Sequence, residues 1–322
     1  MNDETSLNEL RRVLLENNDF VIAAHVNPDS DAVGSCLALG LALKKINKRV
    51  HVILDPYHEK NRIIPGQELI WKETSAGPPA SVFIVLDCAS SERVSDRFGY
   101  MGRVPIIMCI DHHLSHSHFA RYLYLDADAS STCELIYRLI SPIIDLDTDI
   151  ASAIYAGLLT DTGGFRHGSA SAETMLITAE LIRRGIPFTS IYNALLRRHC
   201  LTETLVMRTA LNNMKLLHNN RIAFSFISAE EMDEINAEVT DTDGVSEYLL
   251  NITDVEASVF LYEKVKGEVK ASMRSAKVNL SEIAAAFGGG GHKHAAGCTI
   301  YASLQEAYEK LSAAVCGALD AV

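Results

Sequence analysis

The sequence predicts an α/β protein with an N-terminal, mostly parallel sheet flanked by helices and a smaller α/β domain after it. Strand-like runs in the first half are apolar throughout, which is typical of strands covered on both faces. Helix-like segments alternate with these runs, as in parallel sheets. The chain has 322 residues, more than one hydrophobic core usually supports, so we expect two domains.

The predicted strands of the first domain are short and continuous in apolar residues. They are FVIAAH (20–25), RVHVILD (49–55), SVFIVLD (81–87) and VPIIMCID (104–111). The segment AVGSCLALGLALKKINK between the first two strands is predicted to be a crossover helix, because its apolar residues end in lysines. Further helices are predicted at 131–141, 147–160, 171–185 and 187–199.

The pattern changes after about residue 200. Antiparallel strands are predicted for RIAFSFIS and for ASVFLYEKVKGEVKASMRS, the second of which is broken by a turn at Lys266 and Gly267. An amphipathic helix is predicted for SLQEAYEKLSAAVCGALD. We therefore expect one domain over residues 1–200, a linker over 201–215 and a second domain over 216–322.

Composition excludes several classes of protein. A net charge of −12 argues against a protein that coats long DNA or RNA, because such binding requires a basic surface. The acidic N-terminus is unlike a signal peptide, and no run of 18 apolar residues is present in the sequence. We expect a cytosolic protein that neither spans a membrane nor binds long duplex DNA.

Ionisable residues stand at the ends of several predicted elements. His25 and Asp87 end two strands, Asp111 ends a third and is followed by His112 and His113, and Asp161 ends a helix. Asp29 and Asp31 follow the first strand in HVNPDSDAVGS. Because ligand sites lie at the carboxyl ends of parallel strands, we expect His25, Asp29, Asp31, Asp87, His112 and Asp161 to face one volume.

Four converging carboxylates require compensating positive charge. Any one of these aspartates is more simply explained as a turn or helix cap, but their agreement favours a centre with two divalent cations, in which Asp87 bridges. Mixed imidazole and carboxylate ligands favour Mn²⁺, with Mg²⁺ and Co²⁺ as alternatives. A dinucleotide site is disfavoured, because the first turn lacks GxGxxG and two aspartates there would repel a pyrophosphate.

A glycine run indicates a second functional element. FGGGGHKHAAG, residues 287–297, offers backbone N–H groups of Gly289, Gly290 and Gly291 to an anion, with His292 as a further donor. A flexible linker or a helix C-cap is the alternative. Arg274, followed by Ser275, is a candidate to hold a phosphate through its fork of donors.

The segments HVNPDSDAVGS, VLDCAS, IDHH and GLLTDTGGF resemble, in this order, the four motifs of the DHH phosphoesterase superfamily. ASMRSAKVNLSEIAAAFGGGGHKHAAG resembles its DHHA1 substrate-binding domain. The resemblance implies that His25, Asp29 and Asp87 bind one metal and that Asp31, Asp87, His112 and Asp161 bind the other. It also implies that His113 acts near the scissile phosphate and that Asp111 orients an imidazole.

The resemblance implies a manganese-dependent phosphodiesterase. Its stand-alone two-domain members cleave short RNA oligonucleotides, and many also act on 3′-phosphoadenosine 5′-phosphate; the family further suggests a homodimer. Hydrolysis of cyclic di-AMP or of linear dinucleotides stays open, and polyphosphate hydrolysis is less favoured. A non-catalytic nucleotide sensor is disfavoured, because clustered acids without a metal function would be costly.

Overall fold

The computed structural model describes residues 5–321, which form two compact units; the chain passes from the first to the second between Arg198 and His199. In the first unit the strands are β1 (Asp19–Ala23), β2 (Arg49–Ile53), β3 (Val82–Leu86), β4 (Ile106–Asp111) and β5 (Tyr122–Leu125). Its helices are α1 (Leu7–Glu16), α2 (Ser30–Lys45), α3 (Thr132–Ile140), α4 (Thr148–Asp161), α5 (Ala172–Arg183) and α6 (Phe188–Tyr192), the last continued by a π-helical turn at Asn193–Arg197.

The predicted parallel sheet is confirmed. Five strands lie in the order β2-β1-β3-β4-β5, and every neighbouring pair is parallel. One face is covered by helices around the fully buried Phe20 and Ile84, and the other by loops around the fully buried Phe83. Burial on both faces explains why β3 is apolar at every position. The edge strand β5 was not predicted, since its YLYL sequence is only partly buried.

The second unit contains the strands β6 (Lys215–Leu217), β7 (Ile222–Ile227), β8 (Ala257–Val265), β9 (Glu268–Ser275), β10 (Gly290–His292) and β11 (Ala295–Ile300). Its helices are α7 (Leu201–Asn212), α8 (Ala229–Glu234), α9 (Val245–Leu250), α10 (Leu280–Ala286) and α11 (Leu304–Asp320). The sheet order is β10-β11-β9-β8-β7-β6.

Two expectations for this unit need correction. Residues 201–215, expected to be a linker, include helix α7, whose Val206 and Ala210 are fully buried in a core of the second unit. Strands β8 and β9 form the predicted antiparallel hairpin, but β7 pairs with β8 in parallel. A parallel pair needs a long crossover, which helices α8 and α9 supply here.

One face of this second sheet packs on α10 and α11 around Met273 and Leu311. The opposite face is covered around Phe260 by side chains from α7, α8 and α9. No helix in the described part of the chain, residues 5–321, is long and apolar enough to cross a bilayer.

Candidate metal centre

The order of the first sheet determines where its functional side chains meet. In the order β2-β1-β3-β4-β5 the direction in which successive strands are added reverses between β1 and β3, and ligands of open α/β sheets bind at such a switch point. His25 follows β1, Asp87 follows β3, and Asp111 ends β4. These neighbouring strand ends therefore bring the three side chains to one edge of the sheet.

The first set of ligand-type side chains consists of His25, Asp29 and Asp87, whose ligand atoms all lie within 4.8 Å of one another. The Nδ1 atom of His25 lies 2.9 Å from the carbonyl oxygen of Val26. When Nδ1 carries the proton and donates it there, Nε2 keeps its lone pair. That Nε2 atom lies 3.7 Å from Oδ2 of Asp87, so it faces the carboxylate that shares its set.

Asp29 is held by the helix that follows it. Its side chain is the N-cap of α2 and accepts hydrogen bonds from the backbone N–H groups of Asp31 and Ala32, at 2.9 and 3.0 Å. Both of these bonds go to one oxygen, Oδ1. The second oxygen of Asp29 does not take part in the cap, so a capping role and a ligand role are compatible.

The second set consists of Asp31, His112 and Asp161, again with ligand atoms within 4.8 Å of one another. Nε2 of His112 lies 3.4 Å from Oδ2 of Asp161 and 3.6 Å from Oδ1 of Asp87. Asp87 thus presents one oxygen to His25 and the other to His112. The structure brings together all six predicted ligands, and Asp87 lies between the two sets.

Asp87 has an unusual backbone conformation. Its φ of 55° is in the left-handed region, which asparagine and aspartate tolerate better than most residues and which is often found at functional sites. Burial raises the pKa of Asp87, but the neighbouring His25, His112 and His113 lower it more, so the net pKa lies below its ordinary value. The carboxylate is therefore charged, although it is only 3% exposed.

Two neighbouring carboxylates, those of Asp31 and Asp161, have raised pKa values in the absence of a cation. Burial, followed by repulsion from Asp87 and Asp161, holds the pKa of Asp31 well above its ordinary value. Burial also raises the pKa of Asp161 to about 7, with His112 opposing the rise. Acids that retain protons near neutral pH lack sufficient positive charge around them, and this donor set fits divalent cations.

His113 has a different partner from the other two histidines. Its Nδ1 lies 2.6 Å from Oδ1 of Asp111, a residue at 0% exposure at the end of β4. This hydrogen bond raises the pKa of His113 to about 9 and fixes the proton on Nδ1. The other oxygen of Asp111 is buried without a hydrogen-bond partner among the described residues. Asp87, His112 and His113 also form a ligand-type group, but this bond engages Nδ1 of His113.

Thr132 is a site residue that sequence reasoning missed. It begins helix α3; its hydroxyl donates to Oδ1 of Asp87 at 2.9 Å, and its backbone N–H donates to Asp31 at 2.7 Å. The N–H of Cys133 donates to the other oxygen of Asp31 at 2.9 Å. The positive end of the α3 dipole therefore stabilises a buried carboxylate. The capping pattern in the sequence predicts where this helix begins, but not that its first turn faces the site.

Gly157 in α4 provides the space for Asp31. A Cβ atom at this position would lie 2.3 Å from Oδ1 of Asp31 and 2.3 Å from Sγ of Cys133. Helix α4 then continues to Asp161, so the same helix that makes room for one carboxylate supplies the next.

The predicted substrate residues of the second unit differ in their surroundings. Ser275 is 1% exposed; its hydroxyl donates to the carbonyl of Glu256 at 2.7 Å and accepts from the N–H groups of Lys277 and Val278, both at 3.0 Å. Because a hydroxyl has a single proton, these bonds use the side chain fully within the fold, and the structure contradicts its assignment to substrate binding. Arg274 is half-buried, and its Nη1 donates to the carbonyl of Met273.

The glycine run forms an edge strand as well as a turn. Gly288, with φ of 73°, follows α10, and Gly290, Gly291 and His292 form β10, which pairs antiparallel with β11. A Cβ at Gly289 would lie 2.2 Å from the carbonyl oxygen of Gly297, so close strand approach accounts for that glycine. Strand β10 is the last strand of its sheet and is exposed at all three residues.

Another ligand-type group, Cys200, Glu203 and Asp241, lies in the second unit. Cys200 is the N-cap of α7, and its backbone and side chain form a capping box with Glu203. Helix capping accounts for Cys200 and Glu203, and the carboxylate of Asp241 accepts a hydrogen bond from the backbone N–H of Glu238 at 2.8 Å.

Comparison with known proteins identifies one family domain in each unit. A model of the DHH family, N-terminal domain, matches residues 19–158, and a model of the DHHA1 domain matches residues 219–320. The switch-point site and these two domains define a two-domain phosphoesterase fold.

Relatives cover both units. The bifunctional oligoribonuclease and PAP phosphatase NrnA of Thermus thermophilus is 31% identical over 306 residues, 91% of this chain and 88% of that protein. The protein of the same description from Bacillus subtilis is 28% identical, over 91% of this chain and 93% of that one. The crystal structure of an exopolyphosphatase-related protein from Bacteroides fragilis has a TM-score of 0.87 and 30% identity, covering 96% and 94% of the two chains. The chain belongs to the DHH family, among the members that carry a DHHA1 domain.

Proposed function

We propose that this protein is a phosphodiesterase that depends on two divalent cations, hydrolyses short RNA oligonucleotides to mononucleotides and also dephosphorylates 3′-phosphoadenosine 5′-phosphate. The relatives named oligoribonuclease and PAP phosphatase support both activities, because they align with about nine tenths of this chain. The net charge of −12 favours short substrates over long nucleic acids.

The position of Asp87 is the observation on which this proposal depends most. Its two oxygens face the Nε2 atoms of His25 and His112 at 3.7 and 3.6 Å. A carboxylate in this position can bridge two cations. We assign His25, Asp29 and Asp87 to one ion, and the following residues to the other: Asp31, Asp87, His112 and Asp161.

We propose Mn²⁺ as the native ion, with Mg²⁺ and Co²⁺ as alternatives. Two imidazoles among the ligands favour a transition metal over Mg²⁺, which prefers oxygen ligands. When bound, the ions would neutralise phosphate oxygens and lower the pKa of an attacking water.

The chain itself supplies proton transfer and orientation. His113 carries its proton on Nδ1 toward Asp111 at 2.6 Å, which leaves Nε2 as the atom available to the substrate. In the metal-free protein Asp111 raises the pKa of His113 to about 9, so the ring then holds a second proton at neutral pH. We propose that His113 donates this proton to the leaving oxygen and that Asp111 positions the ring.

We also propose that the second unit contributes to substrate binding. We retain Arg274, His292 and the backbone of Gly289, Gly290 and Gly291 as candidates for this role. Arg274 and His292 both lie opposite Ala295 in the strand register, so all three side chains are on one face of the sheet. The cytosolic location and the homodimer stay predictions; light scattering after size-exclusion chromatography tests the latter.

A substrate panel tests the proposal. Purified protein with Mn²⁺ should convert RNA of two to five nucleotides to mononucleotides and release phosphate from 3′-phosphoadenosine 5′-phosphate; EDTA should abolish both activities. Cyclic di-AMP and tripolyphosphate are the comparison substrates. Intact RNA together with rapid turnover of either comparison substrate would overturn the proposed substrate class.

A further inference from the structure

One face of the second sheet carries two positively charged side chains on the same strand, β9. Residues opposite one another in neighbouring strands have side chains on the same face. Lys270 lies between Tyr262 on β8 and Thr299 on β11. Four residues further along the same strand, Arg274 lies beside Ala295. Because strand side chains alternate, Lys270 and Arg274 point to the same side of β9.

Among the described residues, no carboxylate neutralises either cation. Both side chains are half-buried, and across residues 5–321 no carboxylate lies within the 4.0 Å of an ion pair with either. Lys266, in the turn before β9, does have such a partner, Glu230 at 3.2 Å. Two partly buried and unpaired cations in a chain of net charge −12 indicate an anionic ligand with more than one charge.

An open cavity of about 620 Å³ is lined by Tyr262, Lys270 and Thr299 of this face, and also by Phe287 and Cys298, which belong to the core on the opposite face. Glycines form part of its lining: a Cβ at Gly297 would lie 2.9 Å from the carbonyl oxygen of Ala271. Tyr262 and Tyr301 contribute aromatic rings, and Tyr301 is 81% exposed. The exposed ring of a tyrosine can stack on a nucleobase, and a neighbouring lysine can contact its phosphate. The glycines, which have no side chains, leave their backbone accessible beside these two groups.

We propose that a single-stranded oligoribonucleotide lies along β9, with Arg274 at one end and an outer subsite formed by Lys270 and Tyr301 at the other. At about 3.3 Å per residue, four residues of strand separate the two cations by roughly 13 Å. Stacked nucleotides advance about 3.4 Å each, so this distance spans roughly four of them and fewer extended ones. The inference rests on the proposed function and adds to it a dependence on substrate length.

The test compares Lys270→Met with Lys266→Met, which removes an exposed lysine from the same hairpin. The KM of Lys270→Met for a pentanucleotide should rise about tenfold, equivalent to about 1.4 kcal/mol, while its KM for a dinucleotide should match that of the wild-type protein. The slope of log KM against log salt should decrease by about 0.7 for the pentanucleotide. Tyr301→Ala should raise the same KM about tenfold, and Tyr301→Phe should not, because it keeps the stacking ring.

Calorimetric titration of the pentanucleotide in EDTA separates binding from turnover. Weaker binding to Lys270→Met, with normal binding to Lys266→Met, supports the outer subsite. Equal KM values for wild type and Lys270→Met at both substrate lengths would overturn the outer subsite. So would an equal rise in the KM of Lys270→Met for dinucleotide and pentanucleotide. Either result would leave the proposed function intact. A wild-type protein that binds the pentanucleotide without cleaving it contradicts the proposed function alone, and one that does neither contradicts both.

Discussion

The metal-free protein should lose stability as the pH rises, and Asp161 should be a main cause. Burial raises the pKa of its carboxyl from 3.8 to about 7. Between these two pH values the folded chain holds a proton that the unfolded chain has released. Stability falls with pH wherever the folded state binds more protons, so the contribution of Asp161 is present below about pH 4 and is lost as the pH approaches 7.

The size of the effect follows from the shift. A difference of about three pH units at 1.36 kcal/mol each gives an upper bound of about 4 kcal/mol. Because the neighbouring carboxylates share these protons, we expect roughly 2 to 4 kcal/mol. His113 acts in the same direction at higher pH: its pKa is raised from 6.5 to about 9, so its contribution is present below pH 6.5 and is lost as the pH rises through 9.

Urea denaturation in EDTA at pH 5 and pH 7.5 measures the effect. The wild-type free energy of unfolding should fall between these pH values by roughly 2 kcal/mol more than that of Asp161→Asn, which has no carboxyl to ionise. Mn²⁺ at pH 7.5 should restore stability to the wild-type protein. An equal pH dependence for both proteins would refute the proposed crowding of uncompensated carboxylates.

Three substitutions test other parts of the site. Asp87→Asn should lower kcat about a thousandfold or more. It should also weaken the binding of both metal ions, which calorimetric titration with Mn²⁺ measures. Loss of a single ion would show that the two ions do not share Asp87. Thr132→Val removes the hydroxyl that donates to Asp87 and should weaken metal binding roughly 10- to 100-fold. Thr132→Ser keeps the donor and should bind metal normally. Equal metal affinities of the two variants would show that the hydroxyl of Thr132 does not support the metal site. Gly157→Ala should lower the free energy of unfolding in urea by about 1 to 3 kcal/mol, because its Cβ would meet Asp31 and Cys133. The control Gly317→Ala, which has open space around its Cβ, should be neutral or stabilising. A neutral Gly157→Ala would show that the helices can shift.

The sequence predicts the first sheet well because its physical signal is local. Val82–Leu86 is buried at every position, and a continuous apolar run is sufficient to identify such a strand. The convergence of His25, Asp87 and His112 was also predictable, because parallel strands end at the same edge of the sheet. The assignment of these residues to metal ions stays a prediction.

Other features depend on contacts that sequence patterns do not contain. Thr132 belongs to the site because α3 begins beside Asp31, which is 101 positions away in the chain. Ser275 resembled a phosphate ligand, but its hydroxyl bonds to Glu256 and to the turn that follows it. Lys270 is ordinary in sequence and becomes noticeable only through its register with Tyr262 and its lack of an acidic partner among the described residues.

Diffraction from crystals grown in Mn²⁺, with data collected at the manganese absorption edge, tests the central claim most directly. We predict two anomalous peaks roughly 3.5 to 4 Å apart, one on each side of Asp87. His25 and Asp29 should complete the first, and Asp31, His112 and Asp161 the second. A single peak, or two peaks that share no contact with Asp87, would contradict the account.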